Sequence, residues 1–160
     1  MAKTKNEQAD PWCFQEQLKV GSRGEELLLE HYPGNLAIHP GHDGDFICLD
    51  SGDKIELNTD TYNIDKTDNF FIERWSSFYD VPKKPGGVWQ ARDHGCSIFI
   101  YYFVRHNLWY QFNDIDRLKD RLEDLTEGLG FVFIKNKAWT TAGYKVKRTD
   151  LEDLYDIYEF

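Results

Sequence analysis

Residues 43–62 read DGDFICLDSGDKIELNTDTY, two runs with apolar centres separated by Ser51-Gly52-Asp53. Ser, Gly and Asp are turn formers, so the stretch predicts two adjacent strands, 45–50 and 54–62. In the second run Lys54, Glu56, Asn58 and Asp60 share one parity, and Ile55, Leu57 and Thr59 the other. Side chains two apart on a strand face the same way. One face is therefore polar with ordered charges, and the other builds core. Asp45 opens the first run, so Asp45, Glu56 and Asp60 are expected close together. Like charges at short range disfavour ionisation; a bound cation or open solvent relieves that cost.

Upstream, FQEQLKVGSRGEELLLEHY (14–32) predicts a helix in at least its second half. Ser22 is the expected N-cap, with Glu25 completing a capping box, and Pro33-Gly34 ends it. NLAIHP then reads as a short strand. Downstream, DNFFIERW (68–75) is a strand, and KKPGG leads into a short helix over 88–94. CSIFIYYFV (96–104) is the most apolar run and predicts a central strand buried on both faces. NLWYQF returns beside it across an RHN turn. DIDRLKDRLEDLTEGLG (114–130) spaces Ile115, Leu118, Leu122 and Leu125 helically, with Gly128 or Gly130 closing it. FVFIK is a strand, and GYKVKRTDLEDLYDIYE reads as a strand entering a last helix capped at Thr149. The expectation is one mixed α/β domain over 13–160, preceded by a flexible arm over 1–12.

At 41% hydrophobic and 16% aromatic residues, the 160-residue chain has the material for a packed core, which excludes a disordered protein. No apolar run approaches the roughly 20 residues of a membrane span. The polar start lacks the apolar stretch of a signal peptide, so the expected location is cytoplasmic. Cys13, Cys48 and Cys96 are widely spaced, without a Cys-x-x-Cys pair, and predict reduced, buried thiols. The net charge of −9 argues against coating nucleic acid by bulk attraction. The charge is segregated, however. Residues 135–148 hold five bases and no acid, while the last twelve hold five acids and no base.

The order of helix with Glu25, strand with Asp45, turn, strand with Glu56, then short helix and buried strand resembles the PD-(D/E)XK nuclease superfamily. That resemblance implies a restriction-endonuclease-like fold, a mixed central β-sheet flanked by helices. Asp45 stands for the motif's first acid, and Glu56-Leu57-Asn58 for its second triplet. VGSRGEELL is similar to the first helix of archaeal Holliday-junction resolvases, with Glu25 at the matching position. ELNTDTYNIDKTDNFFIE resembles phage and bacterial members through Asp60, Thr67, Asn69 and Glu73, with Asp68 where those have Gly. KKPGGVWQARDHGCSIFIYYFV and GYKVKRTDLEDL follow their later motifs in order, so the likeness runs from about Gly21 to Leu154.

The resemblance implies a Mg²⁺- or Mn²⁺-dependent DNA endonuclease, homodimeric and junction-resolvase-like in selecting branched DNA. Asp45, Glu56 and the Leu57 carbonyl would hold the ion, and Glu25 a second ion or an outer water. Hard oxygen donors suit Mg²⁺, which activates water and stabilises the leaving oxygen. Asn58 departs from the family pattern, which has Lys there. Lys54, on the same strand face, is a candidate for the missing charge. A catalytically silent nuclease-fold module that binds nucleic acid or protein is the alternative. Lys135, Lys137, Lys145, Lys147 and Arg148 are the expected nucleic-acid contacts, with Lys83 and Lys84 second; edge-strand protection explains the same lysines equally well.

The remaining candidates have plainer readings. His39, His42, Asp43 and Asp45 in HPGHDGD could suggest zinc, but loop polarity accounts for them without a Cys. His94 reads as a satisfied helix end, Gln90 and Arg92 as possible cleft residues, and Asp60 and Glu73 equally as a solvated face or ion pairs. The rings of FIYYF read as core.

Overall fold

The computed structural model describes residues 14–38 and 45–159, and only the backbone of 14–22. The arm over 1–12, Cys13 and the His39, His42, Asp43 loop lie outside the described residues. Helix α1 (Phe14–His31) leads into a meander of β1 (Leu36–Ile38), β2 (Phe46–Cys48) and β3 (Lys54–Asp60). Next come β4 (Asn69–Ser77), β5 (Lys84–Pro85), α2 (Gly87–Asp93), β6 (Ile98–Phe103) and β7 (Leu108–Phe112). The chain closes with α3 (Ile115–Thr126), β8 (Val132–Lys135), β9 (Thr140–Lys147) and β10 (Tyr155–Glu159).

The strands form two sheets. The larger is mixed, in the order β1-β2-β3-β6-β7-β10, with β3 and β6 parallel and the other neighbours antiparallel. The smaller, β5-β4-β9-β8, is antiparallel throughout. As its unbroken apolar run requires, β6 is buried at all six positions. Its parity divides the core. Ile98, Ile100 and Tyr102 pack with Ile55 and Trp109 under Leu27 and Leu28 of α1. Phe99, Tyr101 and Phe103 pack with Tyr110 and Phe112 against β4, α2 and α3, through Phe70, Ile72, Val88, Leu118 and Leu122. A Cβ at Gly24 would lie 2.3 Å from Thr59 Cγ2, so only glycine lets α1 rest this closely on β3.

Three expectations need correction. Helix α1 runs continuously from Phe14, so Ser22 lies inside it rather than at a cap. The smaller sheet was not foreseen: 68–75, 131–135 and the start of the segment from Gly143 were expected as strands, without their separate pairing. The last helix does not form. Arg148–Leu151 is one 3-10 turn, and Tyr155–Glu159 pairs with β7 as an edge strand. Leu151 and Leu154 follow helical spacing with Tyr155 and Tyr158, but β7 offered an open edge of backbone donors and acceptors. Leu151 is buried in the core, Arg121 of α3 grips Asp153 through two 2.8 Å hydrogen bonds, and Tyr155 packs on Tyr110 at 4.8 Å.

Candidate active site

Asp45 lies one residue before the Phe46–Ile55 pair, so the antiparallel register sets it opposite Glu56. Directly opposed side chains share a face with Cβ atoms about 5 Å apart. Asp45 also occupies the place where a further β2 residue would pair: its Oδ2 accepts the Leu57 N–H at 2.8 Å, and its own N–H donates to the Ile55 carbonyl. Ile55 and Leu57 alternate in register, so the Leu57 carbonyl faces this same side of β3.

A third acid joins from the smaller sheet. Glu73, near the β4 bulge between Glu73 and Trp75, comes close enough to Glu56 for its charge to be felt there. Its placement depends on Gly86-Gly87 at the start of α2. A Cβ on Gly86 would fall 2.3 Å from a Glu73 carboxylate oxygen, and one on Gly87 would fall 2.4 Å from the Glu73 carbonyl oxygen. Gly87 also has φ +51°, the left-handed region that favours glycine. Its N–H donates to Glu73 and partly offsets the rise in the Glu73 pKa caused by burial.

The electrostatics describe acids that repel one another. Burial first, then the charges of Asp45 and Glu73, push the Glu56 carboxyl up to about 8. Burial raises Asp45 as well, against the Leu57 N–H and the charge of His94, which pull it down. Glu25, exposed on α1, is raised by partial burial and then by Asp45. Such shifts concentrate at functional sites, although structural ion pairs also produce them.

Asp60 does not join these acids. Four residues along β3 from Glu56, it lies about 13 Å away by strand rise. It accepts a short hydrogen bond from the Tyr101 hydroxyl and another from the Tyr62 N–H at 2.8 Å. The Tyr101 oxygen in turn accepts the Phe71 N–H at 3.2 Å, so Asp60 helps tie the two sheets together. Asn58 is half-buried on the strand face of Glu56. Lys54 directs its ammonium at the His94 carbonyl, 3.4 Å away. His94, expected as a plain helix end, donates its N–H to the Gln90 carbonyl as expected and lies near enough to Asp45 to act on its carboxyl. Arg92 is held by Asp116 at 2.7 Å.

The acids match a hard cation in donor type, since two carboxylates and a carbonyl are oxygen ligands that leave room for waters. The fit is partial. Among the described residues, no three His, Cys, Asp or Glu side chains form a metal-holding group, so a cation would draw on the Leu57 carbonyl and water beside Asp45 and Glu56. Glu73 was legible as a motif match but not as a neighbour of Glu56, because β4 reaches the site through a second sheet.

The basic residues divide. Lys145 and Lys147 alternate outward from β9, opposite Phe71 and Asn69. By register they share a face with Glu73, which pairs with Gly143. Lys135 is exposed on β8 with the opposite parity, and Lys137 is exposed in the turn that follows. Arg148 is engaged in structure: its guanidinium donates to the Thr67 and Asn69 carbonyls at 2.7 and 3.4 Å and lies 5.7 Å from the Phe103 ring.

The chain matches no family model, no curated protein and no solved structure. No helix among the described residues is long and apolar enough to cross a membrane.

Proposed function

We propose that this protein is a divalent-metal-dependent DNA endonuclease of the PD-(D/E)XK kind, with Asp45 and Glu56 as principal acids. The observation that carries the reading is the opposed Asp45–Glu56 pair with Glu73 close enough to add to its repulsion. Three half-buried acids that repel one another cost stability, and a bound Mg²⁺ or Mn²⁺ would offset that cost. Such an ion supplies activated water and charge stabilisation for phosphodiester hydrolysis. The chain's own part is to hold the acids in register, through the Leu57 N–H on Asp45 and the Gly86-Gly87 seat under Glu73. The chain order of α1, β2, β3, α2 and β6 is the order on which the resemblance rests and supports the same reading. Lys145 and Lys147, on the sheet face of Glu73, suit contacts to phosphates beside the acids. Homodimerisation and selection of branched DNA belong to this proposal through the resemblance alone.

The second reading, a silent nuclease-fold module, has one specific observation in its favour. Position 58 holds an amide where the motif holds Lys, and the nearby Lys54 points to the His94 carbonyl. Calorimetry with Mg²⁺ and Mn²⁺, paired with single-turnover cleavage of a DNA panel, separates the two. Wild type should bind metal and cleave, while Asp45→Asn and Glu56→Gln should lose both. Metal binding equal in wild type and variants would overturn the site. Metal binding without cleavage would favour the silent module.

A further inference from the structure

Among the described residues, one surface combines exposed aromatic rings with lysines. On β8, Phe133 and Lys135 stand two apart and so share a face, and Phe131 immediately precedes the strand. Phe133 is 47% exposed. Phe78, whose N–H donates to the Thr140 carbonyl just past the end of β4, meets Phe131 and Phe133 edge-on, with ring centroids 5.6 and 5.2 Å apart. Tyr79, 72% exposed, adds a ring 5.1 Å from Phe78. The Lys83 ammonium sits 4.8 Å over the Phe78 ring. This is a continuous aromatic face carrying lysines on an otherwise acidic chain.

Three classes of occupant could cover such a face. A second copy would appose the two patches across a two-fold axis and bring Lys83 and Lys135 toward their own mates, which like-charge repulsion opposes. Residues 131–148 contain no acid to answer them, and Asp80, the acid between Tyr79 and Lys83, is already paired with Lys84 at 3.5 Å. A purely apolar partner would leave the lysines unpaired. A single strand of nucleic acid satisfies both features, because bases stack on aromatic rings while cations track the backbone. Duplex DNA hides its base faces and would use only the charges.

We propose that the Phe78–Tyr79–Phe131–Phe133 face is a stacking platform for unpaired bases, with Lys83 and Lys135 contacting the flanking phosphates. The inference rests on the nuclease reading for its meaning: the substrate would carry a single-stranded segment beside the duplex. Its test does not depend on metal or cleavage. Fluorescence anisotropy in EDTA measures binding of a labelled oligothymidine of about 16 nucleotides and of a duplex of equal length. Wild type should prefer the single strand. Phe133→Ala should weaken single-strand binding at least about fivefold, and Phe133→Trp should restore it. Replacing Lys83 and Lys135 together with Ala should flatten its salt dependence. Single-strand binding that is absent, no tighter than duplex binding, or indifferent to Phe133→Ala overturns the platform. So does a wild-type dimer in sedimentation that Phe133→Ala dissociates, which would assign the face to a second copy. A failed metal titration of the acids would leave this measurement as it stands.

Discussion

Glu56→Gln tests the acid group directly, through stability. In the unfolded chain Glu56 ionises near its ordinary 4.5, whereas in the folded protein it retains its proton up to about 8. Between those values the folded state binds the extra proton, so stability falls as pH rises. The stability is fully present below about pH 4.5, and the loss is complete above about pH 8. The full rise corresponds to about 5 kcal/mol. That is a ceiling, because Asp45 and Glu73 share the same repulsion. For a domain of this size each kcal/mol moves Tm by roughly 2–4 °C. Thermal unfolding from pH 5 to 8.5 in EDTA should therefore show wild type losing about 10 °C more than Glu56→Gln. At pH 8 the variant should be the more stable protein, as expected where a functional site costs stability. Millimolar Mg²⁺ should raise the wild-type Tm at pH 8 and leave that of Glu56→Gln nearly unchanged. Parallel pH profiles for the two proteins in EDTA would refute the mutual destabilisation of the acids.

Two further outcomes follow from the site. Asn58→Lys should raise single-turnover cleavage by about tenfold or more, since one preorganised charge at a reacting phosphate is worth roughly 10²–10³ in rate; unchanged cleavage with metal still bound would mean that position 58 does not limit the reaction. Gly87→Ala should destabilise the protein by about 1–3 kcal/mol in urea unfolding, combining a positive φ with a backbone clash at Glu73; a change under about 0.5 kcal/mol would show that the Glu73 seat is not rigid.

Much of the fold could be read from local pattern. The parity of KIELNTD (54–60) separated the polar face of β3 from its core face, and the unbroken CSIFIYYFV run marked β6 as buried on both sides. Asp45 and Glu56 were legible together because a short turn fixes the register of the strands it joins, and register sets which side chains oppose. Asp60 was misjudged by the same parity, which reports a shared face but not the 13 Å along it. The partner that holds Asp60, Tyr101, lies 41 residues away. Glu73 reaches Glu56 only because β4 pairs with β9 in a second sheet, and no periodicity within 68–75 carries that pairing. The C-terminal segment is the sharpest case. Its leucines and tyrosines satisfy helical spacing, and the vacant edge of β7 overrode it. Local sequence determined element types and which side chains share a face; long-range strand pairing, set by burial and by backbone groups needing partners, decided which faces meet.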